Sequence, residues 1–354
     1  MMRYWWLLLL LMACKNTRKG AAENRAPLDT VNMVRPVIVT EAVQFDTDDP
    51  AIWINKQDVS KSLIVGTDKA TAGALYVFNL AGKIVNRSGN LKRPNNVDVA
   101  YGLLLNGKPT DIAVTTEKET NKLRVFSLPD LKPVDNGGID IFEGETERGP
   151  MGIALYTRPA DSAIYAIVSR KSGPPDNYLW QYRLNGDDSG YVKATMVRKF
   201  GTYSGLKEIE SIAVDNRLGY IYYSDEMFGV HKYFADPDNK DNRELALFAR
   251  TGFKSDHEGI SIYQSTDTTG YILVSNQQAN TFMVYPREGA PGNPHQYPLL
   301  ASIPVAAIES DGSEVTNINL GPLFPKGLFV AMSNGRVFQY YDWRDIGKRI
   351  TGSK

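Results

Sequence analysis

The residues best able to do chemistry in this chain are acids and amides on one side and lysines with an arginine on the other. The acids are Asp49, Glu210, Asp225, Glu226, Glu258 and Asp311, joined by Asp48, Asp256 and Glu314 and by the amides Asn95, Asn96, Asn276 and Gln277. The bases are Lys69, Lys118, Arg170 and Lys171. Carboxylates and amide oxygens are hard ligands, and a gathering of them suits Ca2+, which takes roughly six to eight oxygens in loose geometry. Zinc would call for His or Cys, and the chain has 3 His, widely scattered, and 1 Cys. Without bound cations, so many acids would repel one another in a partly desolvated cleft. Several calcium ions would remove that repulsion, and the neighbouring lysines and arginine would then hold phosphate oxygens as point charges and as a fork. A water activated among such ligands is a nucleophile for phosphorus, and lysines offset the charge that develops. Covalent routes are poorly served: the cysteine is Cys14, and neither a Gly-x-Ser-x-Gly elbow nor an Arg-His-Gly motif occurs.

These residues flank short apolar runs that repeat along the chain. Copies begin at Asp49, Asn96, Met151, Glu210, Glu258 and Gly312, each opening on a first strand such as Asp49–Ile54 or Glu258–Tyr263. Each continues through an apolar second strand, such as Ile164–Ser169 or Gly270–Ser275, and a third such as Ala74–Phe78. A more polar fourth strand often follows, as over Tyr191–Phe200. The start-to-start spacing of about 47 to 59 residues fits four-stranded propeller blades. The prediction is all-β: a six-bladed β-propeller with four-stranded antiparallel blades, rather than a sandwich or solenoid. The segment Pro36–Thr40 precedes the first copy and is predicted to be the N-terminal strand closing the last blade, which removes a free sheet edge. No helix is expected after Arg35.

Blade topology then sorts the polar residues. The approach to the first strand and the loop between the second and third open on the same face. Lys69, Lys118, Arg170 and Lys171 come from the first three blades, whereas Glu210, Asp225, Glu226, Asp256, Glu258, Gln277 and Asp311 come from the last three. Taken singly, an acid in a turn is ordinary surface chemistry. Segregation of sign by blade is what points to one rim with a basic half and an acidic half.

The chain has 354 residues, enough for a sizeable core, with 42% hydrophobic and 23% charged residues. Lys+Arg and Asp+Glu balance at 40 each, so no basic surplus points to nucleic acid. Arg3 precedes an apolar run from Tyr4 to Ala13, too short to span a bilayer and suited to a secretory signal. Leu11-Met12-Ala13-Cys14 resembles a bacterial lipobox. The predicted division is therefore a lipoprotein signal over 1–13, a lipidated Cys14 with a polar tether to 34, and one propeller over 35–354. An exported lipoprotein on the outer membrane or cell surface, monomeric, is the expectation.

Several stretches together resemble the β-propeller phytases: Asp49-Pro50-Ala51-Ile52-Trp53, Asn95-Asn96-Val97-Asp98, Leu105-Asn106-Gly107, Glu258-Gly259-Ile260-Ser261-Ile262-Tyr263, Ser310-Asp311-Gly312 and Leu320–Gly327. The similarity runs in register from about Glu41 to Tyr340. The resemblance implies calcium-dependent hydrolysis of myo-inositol hexakisphosphate (phytate), with one phosphate site for cleavage and a neighbouring one for affinity. It implies that Lys69 and Lys171 bind phosphate and that Glu210, Glu258 and Asp311 hold calcium at the cleavage site. It also implies that Asp225 and Glu226 form an acidic pair, and that Asp49 and the Asn96 loop hold calcium between blades. Two departures bear on substrate: Lys118 stands where the family pattern has arginine, and Met151 where a phosphate-binding tyrosine is usual. They keep open a calcium-dependent phosphoesterase with another substrate, or a non-catalytic propeller that binds a phosphorylated ligand.

Overall fold

Runs rich in Val, Ile, Tyr and Phe, broken by Gly, Asn and Asp, favour pleated strands joined by tight turns. In the computed structural model, which describes residues 32–352, they form six antiparallel sheets arranged as the blades of a propeller. The lipobox cysteine, the apolar leader and most of the tether lie outside the described residues.

Blade 1 comprises Thr47–Trp53, Leu63–Asp68, Ala74–Asn79 and Ile84–Arg87. Blade 2 comprises Pro94–Leu105, Lys108–Glu117, Lys122–Leu128 and Ile139–Asp140, with Lys132–Pro133 as an extra partner of its third strand. Blade 3 comprises Pro150–Thr157, Ile164–Arg170, Asp176–Gly186 and Val192–Thr202. Blade 4 comprises Ile212–Asp215, Tyr220–Asp225, Gly229–Phe234 and Ala246–Phe248. Blade 5 comprises His257–Gln264, Gly270–Asn276, Thr281–Pro286 and Ala301–Pro304. Blade 6 takes Ser313–Thr316, Leu328–Ser333 and Val337–Asp342 and borrows Ile38–Val39, whose residues stand opposite Tyr340 and Gln339. The ring thus closes as the repeat predicts.

Second strands such as Ile164–Arg170 and Leu328–Ser333 are buried along their whole length, because both faces pack on neighbouring sheets. The core is divided accordingly: Ile64, Phe78, Leu328 and Phe338 fill one interface, and Val114, Ile153, Ala166 and Trp180 another.

One feature corrects the sequence reading. A helix, Trp343–Thr351, ends the described chain where none was expected. Asp342 caps it by accepting from the Arg344 backbone N–H at 2.9 Å, and Trp343, Ile346 and Ile350 share its buried face. Trp343 stacks on Tyr263 with ring centroids 3.6 Å apart, covering the seam of blades 5 and 6. No helix among the described residues is long and apolar enough to cross a membrane. The spacing of Gly102, Gly107 and Lys108 matches a phosphate loop, but it falls on the hairpin of blade 2, with Asn106 and Gly107 at positive φ forming its turn. Pro109 follows where a metal-binding Ser or Thr would stand, and no cradle forms.

Candidate active site

First strands converge on a central tunnel, and close approach there depends on small residues. A side chain on Gly152 would lie 2.0 Å from the Glu210 carbonyl oxygen, and one on Gly312 would lie 2.6 Å from the Asp48 carbonyl oxygen. These glycines let neighbouring blades bring their leading acids together. Polar side chains then hook blade to blade. Asp49 accepts from the Val97 N–H at 3.0 Å, Asp98 from the Leu155 N–H at 2.6 Å, and Ser211 Oγ from the Ile260 N–H at 2.8 Å.

Lys69 follows the second strand of blade 1 and is held by its own N–H to the Asp46 carbonyl oxygen at 2.7 Å. Its ammonium is paired with Asp48 and lies 3.3 Å from Glu210 Oε1 and 3.8 Å from Asp311 Oδ2. Asn95 Nδ2 donates to Glu210 at 2.5 Å, and Gln277 donates to Asp311. Residues from blades 1, 2, 4, 5 and 6 therefore meet at one point. The Lys171 ammonium from blade 3 pairs with Glu208. Lys118 lies close enough to feel Lys171 and Arg93: burial and these two like charges push its ammonium down.

The acids form two groups that share Glu226. Ligand atoms of Glu208, Glu210 and Glu226 lie within 4.8 Å of one another, as do those of Glu226, Asp256 and Glu258, and all five residues are buried. Lys207 bridges the second group, 2.5 Å from Glu226, 2.8 Å from Asp256 and 4.0 Å from Glu258. Burial pushes the Glu226 carboxyl up to about 8, against the pull of Lys207. Burial and then the neighbouring acids Glu226, Glu210 and Asp311 push Glu258 well above the carboxylate range. Asp311 rises to about 6 because burial outweighs Lys69. Glu210 is the contrary case: burial opposes its charge, but Lys69 and Asn95 hold it below the usual value. Asp48 Oδ2, Glu226 Oε1 and Glu258 Oε2 are buried and have no hydrogen-bond partner. Packed, buried carboxylates with orphaned oxygens are a donor set suited to hard cations. Glu208, Glu210, Glu226, Asp256 and Glu258 could hold one or two such ions.

The predicted residues therefore divide. Lys69, Lys171, Lys118, Glu210, Glu226, Glu258 and Asp311 come together on one rim. Asp49 and Asn96 lie below it, lining a tunnel cavity of about 190 Å³ with Asp98 and Glu314. Asn96 Oδ1 accepts from Asn95 Nδ2 at 2.8 Å. Asp225 joins neither acid group. Its carboxylate accepts from the Ser204 N–H at 2.6 Å and Ser204 Oγ at 2.7 Å and lies 3.5 Å from His231 Nε2, so it fastens the loop that carries Lys207 and Glu208. The expectation of a rim guanidinium at Arg170 is also corrected. That side chain turns inward between the Phe142 and Tyr178 rings and pairs with Glu145 at 2.9 Å. Lys207, Glu208 and Arg93 were missed, since none occupies a repeat position. The one available signal was the polar run Lys207-Glu208-Ile209-Glu210 leading into blade 4.

Comparison with known proteins agrees with this geometry. The phytase family profile matches residues 7–340. A curated 3-phytase of Bacillus subtilis (strain 168) is 28% identical over 321 residues, covering 86% of this chain and 81% of the relative. Among solved structures, a protein from Lactobacillus plantarum superposes with a TM-score of 0.54 at 14% identity, covering 89% of this chain and 84% of that one. Hydrazine synthase of Kuenenia stuttgartiensis gives 0.52 at 10% identity, with 82% of each chain covered. These two attest the propeller alone. The match across nearly the whole described ring, together with the rim of acids and lysines, places the chain in the phytase family as a phosphoric monoester hydrolase.

Proposed function

We propose that this protein is a calcium-dependent phytase that removes phosphate from myo-inositol hexakisphosphate. The observation that carries this reading is the excess of buried acid over base at the rim. The buried acids Asp48, Glu208, Glu210, Glu226, Asp256 and Glu258, with the half-buried Asp311, meet Lys69, Lys118, Lys171 and Lys207, with Arg93 beside Lys118, and several carboxylate oxygens lack partners. A polyanion would be repelled from such a cleft unless divalent cations came with it or before it.

Calcium, when bound, supplies neutralising charge and lowers the pKa of water. The chain's own residues do the rest. Lys171, half exposed, and Lys118 stand on the open side of the rim, where they would grip phosphate oxygens as point charges. Lys69 fixes Glu210 and Asp311 at their spacing. A carboxylate of the Glu208–Glu210–Glu226 group would accept the proton of the attacking water. The new bond forms between that water oxygen and phosphorus. The ester P–O bond breaks, its electron pair stays on the inositol oxygen, and that oxygen takes up a proton.

The test is phosphate release from inositol hexakisphosphate with calcium and with excess chelator. Release that is abolished by chelator and restored by calcium is expected. Release that persists in chelator would overturn the calcium requirement. Faster turnover of simple monoesters than of inositol hexakisphosphate would overturn the substrate, and would fit the replacement of arginine by Lys118 and of tyrosine by Met151.

A further inference from the structure

The loop between blades 3 and 4 brings into the acidic group a cation that the repeat does not account for. Lys207 sits 2.5 Å from Glu226, 2.8 Å from Asp256 and 4.0 Å from Glu258, where the ligand atoms of these acids lie within 4.8 Å of one another. Its ammonium thus stands where a shared cation would. One ammonium offers three donors and one positive charge against three carboxylates. The consequence is visible: Glu226 Oε1 and Glu258 Oε2 are buried and have no hydrogen-bond partner.

Two of the rim lysines, Lys69 and Lys207, differ in how free they are to leave. The Lys69 side chain is 15% exposed and ringed by Asp48, Glu210 and Asp311. That of Lys207 is 37% exposed, on a flexible four-carbon stem that reaches in from solvent.

We propose that Lys207 is a built-in competitor for metal: its ammonium occupies the Glu226–Asp256–Glu258 group until a divalent cation displaces it. The inference rests on the calcium reading above. An ammonium and a divalent ion cannot share so small a space, so each ion entering this group must expel Lys207. The lysine keeps the metal-free rim from flying apart and weakens calcium binding by the same interaction. The structure thus exchanges affinity for the integrity of the metal-free state.

The test is calorimetric titration of metal-free wild type and Lys207→Met with calcium chloride, alongside thermal unfolding of both in chelator and in calcium. Lys207→Met is expected to bind calcium about tenfold more tightly, the effect of removing one competing contact. It is expected to melt below wild type in chelator and to match or exceed it in calcium. Lys207→Arg, which keeps the charge, should return both readouts towards wild type. Identical isotherms for wild type and Lys207→Met, or a melting deficit of equal size in both conditions, would overturn the proposal. If Lys207→Met fails to fold in chelator but is recovered by calcium, the proposal stands; if calcium does not recover it, the proposal falls. These readouts do not depend on turnover. Tighter calcium binding without phosphate release would remove the proposed function and leave this inference intact, and calcium-dependent release with unchanged isotherms would do the reverse.

Discussion

Two buried assemblies of charge in this molecule are built on opposite rules. At the foot of blades 4 and 5, Arg287 and Asp215 are both fully buried and meet through two contacts, Nε at 2.6 Å and Nη2 at 2.8 Å. Remaining donors and acceptors are used: Arg287 Nη1 donates to the carbonyl oxygens of Thr266 and Thr269, and Asp215 accepts from the N–H groups of Arg217 and Leu218. At the rim the acids outnumber the ammonium groups, and oxygens of Asp48, Glu226 and Glu258 go unpartnered. The lower pair is complete within the chain and serves the fold. The upper group is incomplete within the chain, and its deficit has the sign and hardness of the ions it would take.

That contrast is open to breakage, most severely at the lower pair. Arg287→Met leaves Asp215 charged, buried and alone, and is expected to cost about 3–5 kcal/mol of stability, measured by denaturant unfolding. Activity per folded molecule should be little changed. A loss under about 1 kcal/mol would mean the pair is not the fixed structural element described. Glu210→Gln should invert the pattern. Phosphate release is expected to fall by about a hundredfold to a thousandfold, with a stability loss smaller than that of Arg287→Met, since Lys69 keeps Asp48 and Asp311 as partners.

A smaller effect is expected from pH. In the tunnel beneath the rim, burial raises Asp98 to about 6 and Glu314 to about 8, the latter with help from the Asp98 and Asp49 charges. A carboxyl raised on folding holds its proton better in the native state, so its stabilising contribution is present at low pH and is lost as pH rises through the folded value. Metal-free protein should therefore melt at progressively lower temperature from about pH 5 to pH 8, a trend that scanning calorimetry in chelator would show. Flat behaviour over that window would mean the tunnel acids titrate normally. The smallest change should come from Lys118→Arg, which restores a fork for phosphate oxygens: KM for the phosphorylated substrate should fall about twofold to fivefold with little change in kcat.

How much of this was legible depended on whether a residue belonged to the repeat. Alternating apolar runs at regular spacing gave the blades, and the closing strand at Ile38–Val39 followed from the need to leave no edge. Glu210, Glu258 and Asp311 stand at the starts of successive first strands and Lys69 follows a second strand, and since both places open on one face, topology placed all four together. Lys207 and Glu208 sit on an inter-blade connection, and nothing in periodicity says where such a loop folds back. Arg170 holds the repeat position of a rim base, but the aromatic rings of Phe142 and Tyr178 draw it inward, a choice made by packing. The terminal helix is short, and only Asp342 and the spacing of Trp343, Ile346 and Ile350 announced it.

The way the ring is fastened has a further consequence. The two ends of the described chain are stitched together in blade 6, and the stitch lies directly beside the junction with blade 1. Asp311 stands on one bank of that junction and Lys69 on the other, 3.8 Å apart. Slackening the N-terminal strand would thus register at the contact between Lys69 and Asp311 before it registered in the bulk of the protein.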